Sequence, residues 1–143
     1  MTAWASVFMI GTDITYPGDD FVPLSDWLDY KDVPVNPEWE YFPFSATFER
    51  GDGGRTGVGF PHAAWTWAHR EDVHLEALRA ICPGLSALVF IRTPTNEISS
   101  GLRVWRTYQC QMLWMPESIE FQINQAMGFA LEFRRMVVQT ELT

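Results

Sequence analysis

The sequence predicts a mainly β fold, an antiparallel β-sandwich or barrel with one flanking α-helix over about residues 70–82 and long loops. Three observations carry this. Apolar and polar residues alternate with a period of two in several separate segments. One segment alone changes to a four-residue step. The strand-like segments are joined mainly by turns and loops rather than by further helices. A chain of 143 residues is a usual size for a single domain, here 1–143, and buries roughly two thirds of its unfolded surface without a staple.

From the N-terminus, the apolar stretch Ala3–Ile10 reads as a first strand. It lacks the basic flank of a secretory signal, and Asp13, Asp19 and Asp20 follow where a small-residue cleavage site would stand. The segment 11–43 is acidic and rich in proline and aromatic residues, and keeps neither period for long, so it is expected to be a long ordered loop lying across its own domain or a neighbouring subunit. Phe44–Glu49 is a short strand. The glycines at 51, 53, 54, 57 and 59 then make 50–61 a hairpin loop with positive φ angles at its tip. No Gly-Lys-Ser/Thr follows, so it is not a phosphate-binding loop. Arg50-Gly51-Asp52 is read as a chance triplet.

Trp65 and Trp67 lie two apart and share one strand face, expected to be core. Val73, Ala77 and Ile81, with Leu78, form the apolar stripe of the helix. Glu71 and Asp72 fall in its first turn and Arg79 in its last, which suits the helix dipole, and Pro83-Gly84 ends it. The continuous apolar run Ala87–Ile91 predicts a strand covered on both faces. In Val104–Trp114, residues Val104, Tyr108, Cys110, Met112 and Trp114 point one way and Thr107, Gln109 and Gln111 the other. Ile119–Ile123 and Met127–Phe133 alternate in the same manner. The tally is about seven strands and one helix.

Charge is uneven. Residues 1–49 carry nine acidic side chains against Lys31 alone, a net −8, whereas the remainder holds nine arginines against nine carboxylates. Tight nucleic-acid binding needs clustered cations and is not indicated. No apolar run has the length of a bilayer span. Cys82 and Cys110 have no CxxC spacing and read as buried free thiols. His62, His69 and His74 lack metal-ligand spacing, and no serine stands in a nucleophile-elbow context. A glycosidase carboxylate pair is defined in space rather than by spacing, but most carboxylates here fall in the irregular acidic segment. No enzyme activity, cofactor or metal is expected. Trp65 with Trp67, or Trp105, offers a second possibility, an aromatic platform for sugar on a monomeric binding module.

The order of features resembles small tail proteins of long-tailed bacteriophages. It runs through Trp65-Thr66-Trp67, a helix with Leu75 and Leu78, a strand ending Phe90-Ile91-Arg92-Thr93, Met115-Pro116, and a final strand Phe129-Ala130-Leu131-Glu132-Phe133-Arg134-Arg135. The likeness covers roughly residues 44–138. It implies a tail-tube subunit, or a minor tail protein for distal-tail or tail-completion work, made in the host cytoplasm and incorporated into the virion tail. Its partners would be copies of itself in hexameric, stacked rings and other tail proteins, with genomic DNA passing through unbound and no membrane involved. By position, Thr107, Gln109 and Gln111 would line the lumen. Asp19, Asp20, Trp27, Tyr30 and Trp39 of the 11–43 loop, and Arg50, Asp52 and Arg55 of the glycine-rich hairpin, would reach the neighbouring subunit or ring.

Overall fold

The computed structural model describes residues 6–12, 21–24, 36–114, 120–122 and 125–139. Its chain order is β1 (Met9–Gly11), β2 (Phe21–Pro23), β3 (Glu38–Phe42), β4 (Ala46–Glu49), β5 (Arg55–Val58), β6 (His62–Glu71), α1 (Asp72–Ile81), β7 (Ser86–Ser99), β8 (Leu102–Trp114), β9 (Glu120–Gln122) and β10 (Gln125–Gln139). Eight strands form one antiparallel sheet in the order β2-β1-β7-β8-β10-β6-β3, with β9 paired to β10, while β4 and β5 form a separate two-stranded sheet. The large sheet curls into a half-barrel flanked by the single short helix.

The curl follows from what the strands carry on one face. Trp65 of β6 and Thr93 of β7 are separated in the sheet by β10 and β8, yet the Trp65 indole Nε1 donates to Thr93 Oγ1 at 3.1 Å across the interior. Tyr41 of β3 and Tyr108 of β8 share a hydroxyl–hydroxyl bond of 2.8 Å. Large rings fill the space between. Trp65 meets Phe8 at 5.3 Å and Phe133 at 4.7 Å, both edge to face, the arrangement the ring quadrupole favours. Val89, Ile91, Cys110, Met112, Leu131 and Leu78 complete the buried cluster. Leu75 and Leu78 turn the apolar stripe of α1 inward. Arg79 donates to the Gly84 carbonyl at 2.9 Å and lies over the Trp114 ring, fixing the helix exit.

Several expectations need correction. The 11–43 segment is not loop throughout, because β2 and β3 lie in it. Trp39 and Tyr41 alternate with Glu38, Glu40 and Phe42, so a five-residue strand fits between prolines. The 50–61 loop likewise contains β5, where Arg55–Val58 pairs in register with Ala46–Glu49. In the apolar run 87–91, Val89 and Ile91 are buried but Leu88 is 55% exposed, so the two faces are not equally covered. The strand count among the described residues is ten, against seven expected.

Candidate assembly surfaces

The strands β4 and β5 form an arm. Every residue of β4 is exposed, and so are Arg55, Thr56 and Val58 of β5. The local sequence explains the hairpin. Gly53 and Gly59 take φ values of +86° and +85°, which side chains disfavour. Asp52 Oδ1 accepts from the Gly54 amide at 2.9 Å, and Arg50 sits 3.6 Å from the same oxygen. At the base, Ser45 Oγ donates to the Phe60 carbonyl at 2.6 Å and the Ser45 amide to the Val58 carbonyl at 3.0 Å. Gly57 has no Cβ where the Phe44 ring lies, so that ring rests against bare backbone.

The arm is apolar where it meets water. Phe44, Phe48, Val58 and Phe60 are 45%, 60%, 38% and 43% exposed. Ala46, Phe48, Thr56 and Val58 share one face by their pairing. An isolated two-stranded hairpin is marginal in water, and burying one such phenylalanine is worth about 1.5–3 kcal/mol. Arg50, Asp52 and Arg55 all sit on this arm, at its tip and the start of β5. Trp39 does not belong with them, since it is half-buried in β3 beneath the Arg103 guanidinium. Asp19, Asp20, Trp27 and Tyr30 lie outside the described residues.

A second surface is the outer face of the half-barrel. Leu88, Gln109, Gln111, Arg135 and Val137 line an open concavity of about 280 Å³. Gln109 and Gln111 are half-buried there, on one face as alternation predicts. Thr107 shares their parity but is 1% exposed and accepts a 3.2 Å bond from Arg92, which is itself 4% exposed. Met9, opposite Arg92 in the register, is 0% exposed. The outer face is therefore closed toward β1, and Thr107 does not line an accessible wall. A third apolar point is the β7–β8 tip, where Ser100 and Gly101 take positive φ in a two-residue turn between exposed Ile98 and Leu102. Glu97 and Arg106 brace this hairpin at 2.7 Å, which holds the Glu97 carboxyl below its usual range.

Among the described residues, no group of three or more His, Cys, Asp or Glu side chains is placed to hold a metal ion. Burial pushes both thiols, Cys82 and Cys110, upward and so favours their neutral forms. His62 stacks on Phe42 at 4.7 Å, and burial with the nearby Arg134 lowers its pKa against an opposing effect of Glu132. His69 and His74 fall where only the backbone is described. The sugar-platform residues are spoken for, since Trp65 and Trp67 are 0% and 3% exposed and Trp105 is half-buried against Phe8 at 5.0 Å.

The exposed apolar arm was legible only in outline. Glycine spacing marked the turn, but nothing in the spacing of Phe44, Phe48, Val58 and Phe60 says that the large sheet leaves them exposed. Among the described residues, no helix is long and apolar enough to cross a membrane. Comparison with protein-family models, with curated proteins and with solved structures finds no match to this chain.

Proposed function

We propose that this protein is a structural subunit that assembles with copies of itself into rings, and that the rings stack as a tube of the bacteriophage tail type. The observation that carries the assembly reading is the arm, which places four large apolar side chains in water on a hairpin too small to be stable alone. The half-barrel adds to it, because its end strands β2 and β3 have a partner on one side only among the described residues, and ring closure is one way to remove such edges. The tail assignment rests on the sequence resemblance. In that reading Gln109 and Gln111 remain the lumen candidates, two uncharged polar side chains that give DNA phosphates no cation to hold.

Light scattering on the purified protein, with negative-stain microscopy of the same sample, tests this directly. Rings or tubes with a central hole are expected. Phe48→Asp is expected to return the mass to that of one chain. A parent protein that stays monomeric at high concentration sinks the proposal.

A further inference from the structure

Strand β10 contains a register break that places one side chain with unusual care. Arg134 pairs with Gln111, and the next registered pair is Val137 with Gln109, so the β10 side holds one extra residue. Arg135 sits in this bulge with φ +54°, a left-handed conformation uncommon for any residue with a Cβ. The bulge reverses the alternation. Phe133 and Met136, three apart, are both buried, and Arg135 is left on the exposed side.

What Arg135 reaches from there is the base of the arm. Its guanidinium carbon lies 5.3 Å from the centre of the Phe60 ring, within cation–π range. The adjacent Met136 amide donates to the Pro61 carbonyl at 3.2 Å, so backbone and side chain of the same bulge hold consecutive residues of one arm strand's root. Among the described residues, no strand of the arm is hydrogen-bonded into the eight-stranded sheet. Strained conformations persist where the surroundings demand them, and glycine or asparagine would fill this position at lower cost if only the bulge were needed.

We propose that Arg135 is a positioning residue whose guanidinium, seated on Phe60, sets the direction of the β4–β5 arm against the half-barrel. The role is internal to one chain and goes beyond the assembly reading. A subunit that never assembles would still show or lack it.

The test attaches a nitroxide at Glu49→Cys, an exposed site on the arm, in a Phe48→Asp background, and follows label mobility on the monomeric fraction. Cys82 and Cys110 are buried and do not compete for the label. Arg135→Gly and Arg135→Asn both accept the left-handed backbone, and Phe60→Leu keeps the bulge but removes the ring. All three are expected to lower the ordered fraction of the arm by about two- to fivefold, the factor an exposed cation–π contact supplies. Arg135→Gly should melt at or above the temperature of its parent, which separates the side chain's role from the fold's. Unchanged mobility in both Arg135 variants overturns the proposal, and so does loosening by Phe60→Leu alone.

Discussion

Trp65 and Phe48 are both aromatic residues on antiparallel strands, yet one is 0% exposed and the other 60%. Trp65 has rings on three sides and a hydroxyl for its indole N–H. Phe48 has a two-stranded ribbon beneath it. The inner face of the half-barrel covers its own large rings, whereas the arm leaves its apolar face in water. Residue type does not distinguish the two regions; the number of strands available to cover each residue does.

Four measurements break or sharpen that contrast. Trp65→Ala removes a fully buried tryptophan from the interior and is expected to cost about 3–5 kcal/mol in chemical denaturation. Thr93→Val keeps the volume but strips the Trp65 N–H of its acceptor, and about 1–3 kcal/mol should be lost by the same measurement. Lowering the pH probes the junction of the two regions. His62 has a folded-state pKa below its ordinary value of 6.5, so the unfolded chain binds the proton more readily. Its contribution to stability is full above about pH 6.5 and is lost as the pH falls through the folded value. Thermal melting should show that acid-side decline, and His62→Phe should flatten it. Phe48→Asp has the smallest effect on the fold, within about 0.5 kcal/mol for the monomer. A Phe48→Asp loss comparable with that of Trp65→Ala would mean the arm is part of the core after all.

Much of the half-barrel was legible because alternation reports directly on burial. Tyr108, Cys110 and Met112 point inward as their period requires, as do Leu131 and Phe133, and the helix lies where the stripe of Val73, Ala77, Leu78 and Ile81 placed it, although Leu75 and Leu78 are buried while Ala77 and Ile81 are only half-buried. Local period carries no record of a bulge, so Met136 could not be assigned to the core beyond Arg134. Nor does it record which part of a face is covered. Thr107 is buried against Arg92 while Leu88, farther along the outer face, is exposed, a difference set outside either segment. Strands β3 and β5 were hidden by the proline and glycine around them, since both residues count against a strand until the partner's register is known. Glycine spacing placed Arg50, Asp52 and Arg55 on a hairpin loop, whereas Phe44 and Phe48 passed for ordinary strand residues and Phe60 for a loop residue.

The Tyr41–Tyr108 bond has a kinetic consequence. Its partners are 67 residues apart in the chain, so it forms only after that long loop is closed. The β7–β8 pair, joined by a two-residue turn, has no such delay. That closure of the half-barrel should therefore come late and open early, and the amides of the edge strand β3 should exchange with solvent before those at the centre of β7 and β8. The β3–β6 pair brings the two roots of the arm together, so what waits on the closure is the arm's direction against the rest of the sheet. On the proposed assembly reading, completion of the fold and readiness to engage a neighbour would be the same event, and a growing assembly would be protected from taking up unfinished chains.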